Sequence, residues 1–109
     1  MKTDKNLLSG STPMLVLSLL KDGDKYGYEM VSELARRSDD TFNLKEGTLY
    51  PLLHALEKEG LIRSYSQKTE QGRERKYYHL TPGGLRELSR QEEQWKEFSE
   101  KVNLVLNFA

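Results

Sequence analysis

Basic side chains are concentrated in one short segment, and their types suit contacts with phosphate. Five cations there face two carboxylates, which gives a local charge of +3, whereas the whole chain has a formal net charge of zero. The cations are Arg63, Lys68, Arg73, Arg75 and Lys76, and the carboxylates are Glu70 and Glu74. Such a charge run is typical of a hydrated hairpin surface or of the electrostatic footprint of a nucleic-acid binder. The surrounding elements have to decide between these two interpretations.

Catalysis and metal binding lack the residues they need. Cysteine is absent, which excludes disulfides and thiolate metal sites and indicates a cytoplasmic protein. His54 and His79 fall in different predicted elements, so we predict no metal site and no cofactor. The sequence has no serine-histidine-acid constellation, no phosphate-cradling glycine loop and no pair of carboxylates in an identifiable cleft. We therefore predict that the protein is not an enzyme.

Length and hydropathy predict a single domain. The 109 residues, 36% of them hydrophobic, can bury a modest core. The longest apolar stretch, residues 14–20, is far shorter than the ~20 residues that a membrane span needs. We expect no second independent domain and no membrane partner.

Helical periodicity predicts three short helices before the basic segment. The first would begin at Ser11-Thr12-Pro13, where a hydroxyl and a proline suit a helix start, and would continue to about Lys21. The second follows the turn at Asp22-Gly23-Asp24. The third would end at Gly60, and Pro51 taken by itself would place its start near Tyr50. Its apolar face consists of Leu49, Leu52, Leu53 and Leu56.

The remaining chain is predicted to form a hairpin and one long helix. Residues 61–66 and 75–80 are β-prone and are joined by a segment that contains Gly72. Side chains alternate along a strand, so either Tyr77 or Tyr78 belongs to the core. Thr81-Pro82 would open a last helix that continues almost to Phe108. The predicted fold is mainly α (α+β), with a winged helix-turn-helix in residues 1–81 and a C-terminal dimerisation helix in residues 82–109.

Four blocks of sequence resemble the signature of the PadR-like transcriptional regulators. The blocks are Tyr26-Gly27-Tyr28-Glu29, residues 46–53 (EGTLYPLL), residues 56–62 (LEKEGLI) and residues 75–81 (RKYYHLT). They keep the order and spacing of the family from about Leu15 to Thr81, and the tail resembles the short subfamily with a single C-terminal helix. The resemblance implies a homodimeric winged helix, usually a repressor, whose third helix enters the major groove of operator DNA and whose wing reaches phosphates. It also implies that the third helix starts several residues before Tyr50 and tolerates Pro51 in its first turn or so.

Nine side chains are predicted to contact DNA. They are Lys45, Thr48, Tyr50, His54 and Lys58, opposite the apolar face of the third helix, and Lys68, Arg73, Arg75 and Lys76 in the hairpin. Hydroxyls and lysines suit phosphate contacts, and only some of these residues would reach base edges. Tyr50 has an alternative interpretation as a packed aromatic whose hydroxyl lies on another helix. The alternative function is a winged helix that docks a protein and binds no DNA, which the zero net charge also allows.

The last helix carries a heptad seam that is predicted to pair two copies of the chain. The seam consists of Leu88, Trp95 and Val102, seven residues apart, with Phe98 and Val105 three residues after the latter two. A helix that folds back onto its own domain without forming a dimer is the alternative.

Trp95 is predicted either to anchor the dimer or also to bind a ligand. It resembles the tryptophan of the multidrug-binding members of the family, in which the rings of two subunits sandwich flat aromatic compounds. That resemblance implies a cavity also lined by Leu7, Gly10, Met14 and Ser99. Ser99 stands where those members have an acidic residue, and bulky Gln91 lies one turn before Trp95. A neutral or weakly charged aromatic effector is therefore expected in preference to a dication.

Overall fold

Three helices, a hairpin and a long final helix follow one another as predicted, with one short strand added. The computed structural model describes residues 5–108, with side chains described from Gly10 onward. The elements are α1 (Lys5–Lys21), β1 (Lys25–Tyr26), α2 (Gly27–Arg37), α3 (Glu46–Lys58), β2 (Ile62–Lys68), β3 (Glu74–Leu80) and α4 (Pro82–Leu106). This order is that of a winged helix-turn-helix with a C-terminal extension.

The strand β1 turns the predicted hairpin into a three-stranded antiparallel sheet with the order β1-β3-β2. Lys25 pairs with Tyr78, and Tyr26 pairs with Tyr77. A strand of two residues has no alternation of its own, so no local pattern indicates it. The prediction of a two-stranded hairpin is incomplete for that reason.

The helix α1 begins at Lys5, well before the predicted start at Ser11-Thr12-Pro13. Pro13 lies inside the helix, and Thr12 is buried. The predicted start is wrong because a hydroxyl followed by proline marks a helix start only where the preceding turn is not already helical. α1 therefore continues through its proline, which forfeits a single backbone hydrogen bond.

The helix α3 runs from Glu46 and contains Pro51, as the resemblance predicts. Gly60 follows it with a φ of 78°, a left-handed conformation that favours glycine. The amide of Gly60 donates to the carbonyl of Glu57 (2.9 Å), and the amide of Leu61 donates to that of Leu56 (3.0 Å). These bonds close the end of α3 and direct the chain into β2.

The core lies between the first three helices, the inner face of the sheet and the first turns of α4. Its buried members are Val16, Leu17, Leu19, Leu20, Met30, Leu34, Leu44, Leu49, Leu53, Leu56, Ile62, Tyr78 and Leu88. Tyr78 is 4% exposed, whereas Tyr77 is only partly buried. Tyr78 is thus the core member of the tyrosine pair.

Leu88 is completely covered by its own chain, so its predicted place in a dimer seam is wrong. A helix that packs on its own domain has nearly the same apolar period as a coiled-coil seam, so spacing does not distinguish the two. The first two turns of α4 complete the core. The rest of the predicted seam, from Trp95 onward, lies beyond it.

Candidate nucleic-acid interface

The polar face of α3 is exposed as predicted. Leu49 and Leu53 are 0% exposed and fix which side of the helix faces the core. The opposite side presents Lys45, Thr48, Tyr50, His54 and Lys58, all of them exposed. The amides of Thr48 and Leu49 both donate to the carbonyl of Lys45, at 3.0 and 2.9 Å, which places Lys45 at the N-terminal cap. A helix with this division can lay its polar side in a groove while its apolar side holds it to the domain.

Tyr50 packs on the N-terminus of α2, and Gly27 makes that packing possible. A Cβ at residue 27 would lie 2.5 Å from the hydroxyl oxygen of Tyr50 and 2.9 Å from its Cζ. The ring nevertheless remains 45% exposed. One part of the Tyr50 side chain is therefore packed, as the alternative interpretation holds, and the other part remains accessible at the surface of α3.

Glu57 joins α3 to the first half of β2. Its Oε2 accepts hydrogen bonds from the backbone amide of Ser64 at 2.9 Å and from the Ser64 hydroxyl at 2.7 Å. These two bonds lower the pKa of Glu57, and the nearby charges of Lys76 and His54 lower it further. The hairpin of β2 and β3 is the wing of this fold. Sequence reasoning missed the contact, because no local pattern indicates which wing residue faces a helical carboxylate.

The cations of β3 do not form one cluster. The guanidinium carbon of Arg75 lies 4.0 Å from the ring centroid of Tyr26, on the outer face of the sheet. The Nζ of Lys76 lies 5.7 Å from the ring centroid of Tyr78, on the inner face that α3 packs against. Adjacent strand residues point to opposite faces. The structure thus brings Lys76 together with α3 and places Arg75 on the other side.

Aromatic rings cover the outer face of the sheet. Tyr65 stacks on Tyr77 with ring centroids 5.8 Å apart, and Tyr26 meets Tyr77 edge-on at 5.6 Å. Arg75 extends this row at the Tyr26 end. The side chain of Arg75 is therefore held against the sheet as well as being exposed.

The tip of the wing is a tight turn that carries Arg73. The amide of Thr69 donates to the carbonyl of Arg73 at 2.7 Å, and the amide of Gly72 donates to that of Thr69 at 2.9 Å. Gly72 has a φ of 81°, in keeping with its predicted place in the turn. Lys68 is exposed and pairs across the hairpin with Glu74, which offsets part of its charge.

Asp24 ties the turn after α1 to the sheet, an arrangement that the sequence did not predict. Its Oδ2 accepts a bond from the Tyr65 hydroxyl at 2.7 Å, and its Oδ1 lies 2.8 Å from Nδ1 of His79. The bond from Tyr65 and the contact with His79 lower the pKa of Asp24. Among residues 5–108, no group of three or more histidine, cysteine or acidic residues is arranged to hold a metal ion.

A groove of about 540 Å³ separates the N-terminal half of α1 from the middle of α4. Its lining consists of Gly10, Ser11, Pro13, Met14, Arg90, Gln91, Gln94, Trp95 and Phe98. Met14, Gly10 and Trp95 were predicted to share a cavity, and they do line this groove. Ser99 does not line it, and its hydroxyl donates to the carbonyl of Lys96 at 3.1 Å because the side chain turns back onto its own helix. The side chain of Leu7 lies outside the described residues.

The predicted dimer residues beyond Leu88 form an uncovered apolar surface. Trp95 is 53% exposed, Phe98 62% and Val105 86%, while Val102 is half-buried. Leu104, Leu106 and Phe108 add further exposed apolar area that the heptad pattern did not include. Apolar surface of this kind marks an interaction site on a protein surface.

Comparisons with known proteins agree with this architecture. The model of the PadR-like family of transcriptional regulators matches residues 16–90. A transcriptional regulator of Mycobacterium tuberculosis is 33% identical over 87 residues, which cover 80% of this chain and 78% of the relative. No helix among the described residues has the length and apolar character needed to cross a membrane.

Solved structures of similar proteins lead to the same assignment. A PadR family regulator from Eggerthella lenta is 36% identical with a TM-score of 0.83, and the match covers 95% of this chain and 88% of that one. A transcriptional regulator from Clostridium thermocellum is 33% identical with a TM-score of 0.84, covering 91% and 96%. These relatives are regulators and not enzymes. The chain therefore belongs to the PadR-like family of transcriptional regulators.

Proposed function

We propose that the protein is a sequence-specific repressor that binds operator DNA through α3 and the wing. The observation that carries this proposal is the exposed polar face of α3 beside the inner face of the wing, where Lys76 lies. A helix of this kind can enter the major groove while a basic hairpin contacts the neighbouring backbone. Thr48 and His54, near the middle of the exposed face, are the candidates for reading base edges.

The zero net charge of the chain is compatible with DNA binding because part of its positive charge lies on the proposed interface. Lys45, Lys58, Arg73 and Lys76 extend over α3 and the wing, whereas Glu33 of α2 and Glu87 of α4 are paired with arginines of their own helices. Affinity for a polyanion depends on the local field where contact occurs. The competing function, a winged helix that docks a protein, would use the same face without phosphate contacts.

The double substitution Arg73→Gln with Lys76→Gln is expected to weaken binding to operator and unrelated DNA alike. Each lost phosphate contact should reduce the slope of log affinity against log salt concentration by about 0.9, and affinity near physiological salt should fall about tenfold or more. Fluorescence anisotropy with labelled DNA from upstream of the protein's own gene measures both quantities. Substitutions at Thr48 or His54 should instead change the preferred sequence.

A matched control removes the same charge from a distant surface. Lys96 and Lys101 are exposed on α4, and replacing both with glutamine should leave the salt slope unchanged. If the wing variant binds DNA with wild-type affinity across the salt range, the wing does not contact phosphate. If the wild-type chain binds no DNA at all, the protein-docking function is the better account.

We further propose that the protein acts as a homodimer joined through the second half of α4. DNA-binding helix-turn-helix proteins pair two half-sites with two copies of the domain. The exposed apolar side chains from Trp95 to Phe108 provide a surface that a second copy would cover.

A small aromatic effector would bind in the groove beside Trp95 and release the repressor from DNA. Trp95 and Phe98 offer two rings with centroids 6.4 Å apart, and Met14 provides an adaptable wall. Among the described residues the groove is lined by Arg90 and by no carboxylate, so neutral or weakly charged aromatics are preferred over dications. Release requires that the ligand favour one relative placement of the two wings, since a ligand indifferent to placement shifts no equilibrium.

Replacing Trp95 with leucine is expected to reduce the affinity for a neutral planar dye at least tenfold, because the leucine side chain offers no π-face for stacking. Dye anisotropy measures binding in both proteins, and quenching of Trp95, the only tryptophan, gives a second signal in the wild type. Tyr28→Leu is the control, since Tyr28 is an aromatic on α2 that is somewhat more accessible (62% exposed) than Trp95. Unchanged dye affinity in Trp95→Leu would leave Trp95 as a packing residue.

A further inference from the structure

We propose that Glu57 is a positioning residue that holds the wing in register with α3, so that the wing's contacts with DNA depend on it. This inference rests on the proposed DNA-binding function. Glu57 itself points to the wing and not to DNA, because its Oε2 is already engaged by Ser64.

The position of Ser64 explains why a helical carboxylate is needed there. β2 is an edge strand, since the sheet order is β1-β3-β2. Backbone amides on the open side of an edge strand have no partner in the sheet. The amide of Ser64 points to that side and donates to Glu57, at 2.9 Å. Glu57 thus fills a bonding position that another strand would otherwise occupy.

The wing has few other polar links to α3. Among the residues that the structure describes, both hydrogen bonds between α3 and β2 end on Oε2 of Glu57. Beyond Ser64, the inner-face residues Ser66, Lys68 and Lys76 are exposed. On the side of α3 the far half of the hairpin is therefore oriented by its strand pairing and by this contact near its base, while the bond from Tyr65 to Asp24 holds the outer face.

The carboxylate also lies near two basic side chains that are proposed to face DNA. Lys76 from the wing and His54 from α3 both act electrostatically on Glu57. A single ionised group therefore faces side chains from both halves of the proposed interface. The two bonds from Ser64 to this carboxylate are charge-assisted, and such bonds are stronger than neutral ones.

Contact with DNA through both α3 and the wing requires that the two hold a fixed relative position in the complex. A wing that moves freely must be ordered when the complex forms, and this ordering reduces affinity. If Glu57 supplies the order in advance, the wing cations contribute fully only while the contact with Ser64 is intact. Loss of the contact should weaken DNA binding even though it removes a negative charge near a polyanion.

The test measures operator affinity for Glu57→Ala and Glu57→Gln, each with and without Lys76→Gln. Glu57→Ala should lower the affinity about tenfold, and adding Lys76→Gln should then have little further effect. Glu57→Gln keeps a carbonyl oxygen that can accept from Ser64, so it should retain most of the affinity and most of the Lys76 effect. Glu59→Ala removes an equal charge from the adjacent, exposed end of α3 and should not lower the affinity.

Amide hydrogen exchange of Ser64 in the free protein provides a readout that does not require DNA. The amide should exchange faster in Glu57→Ala and remain protected in Glu57→Gln, while amides bonded within the β2–β3 ladder stay protected in both. Unchanged exchange in Glu57→Ala, additive effects of Glu57→Ala and Lys76→Gln, or higher affinity in both Glu57 variants would each overturn the proposal. Absence of DNA binding by the wild type would contradict the proposed function. The exchange rate of the Ser64 amide would still test whether its bond to Glu57 holds the wing.

Discussion

Gly84→Ala is expected to destabilise the protein by about 3 kcal/mol, although alanine is the better helix former. A Cβ at residue 84 would overlap the carbonyl oxygen of Leu61 and lie 2.6 Å from Cδ1 of Leu80. The carbonyl of Leu61 cannot turn away without cost, because it accepts the amide of Thr81 at 3.1 Å. The start of α4 must therefore move off the junction between α3 and β2, and the helix cap loosens with it.

The cap at this point shows why the movement is costly. The hydroxyl of Thr81 accepts the amide of Gly84 at 3.0 Å and lies 2.7 Å from the carbonyl oxygen of Gly60, to which it donates. One side chain thus joins the start of α4 to the end of α3. Losing a helix N-cap alone costs about 1 kcal/mol.

Gly83→Ala is the matched control for the Gly84 substitution. The nearest atoms to a Cβ at residue 83 are 3.7 Å away, which is ordinary van der Waals distance. This variant should be unchanged or more stable by up to about 1 kcal/mol, because alanine restricts the unfolded chain more than glycine does. Urea unfolding followed by circular dichroism compares the two variants. Equal stabilities would show that residue 84 has room for a methyl group.

The sequence contains two adjacent glycines but does not show why residue 84 has to be glycine. From propensity alone, Gly83-Gly84 only weakens the first turn of α4. The reason for Gly84 is an approach between two backbones far apart along the chain, and local patterns carry no information about it. Gly27 is a similar case, because its missing side chain accommodates the ring of Tyr50.

The elements that could be predicted are those with strong local signals. The apolar period of Leu49, Leu53 and Leu56 fixed the orientation of α3, and therefore also its polar face. Thr81-Pro82 gave the start of α4, where the Thr81 side chain does cap the helix. Periodicity and capping depend on neighbours within one or two turns, so a sequence contains all the information they require.

The features that could not be predicted depend on pairing between distant segments. The strand β1 forms because Tyr26 pairs with Tyr77 of β3. The register of the sheet also determines that Arg75 and Lys76 point to opposite faces. A shift of one residue in that register would exchange the two cations. The composition of the wing suggests phosphate binding, but only the fold reveals that Lys76, and not Arg75, lies on the side of α3.

Val105→Asp is expected to convert a dimer into monomers and to weaken operator binding at least a hundredfold. Val105 is 86% exposed in the single chain, so a charge there disturbs no packing within the subunit. In the proposed dimer the same carboxylate would be buried in an apolar seam without a partner, which costs several kcal/mol for each copy. Val102 is a less suitable choice, because it is already half-buried by its own chain.

Asn103→Asp provides the control, since it introduces the same charge two residues away on an exposed position of α4. The helical repeat of 3.6 residues places residue 103 on the side of the helix away from residue 105. This variant should remain dimeric and bind the operator as the wild type does. Sedimentation velocity at micromolar concentration and DNA anisotropy measure the two properties on the same samples.

A monomeric wild type, or a Val105→Asp variant that still sediments as a dimer, would contradict pairing through α4. In the second case the apolar surface from Trp95 to Phe108 would have to be covered by something other than a second copy of this helix, and the two half-sites of an operator would have to be bound by chains that meet elsewhere.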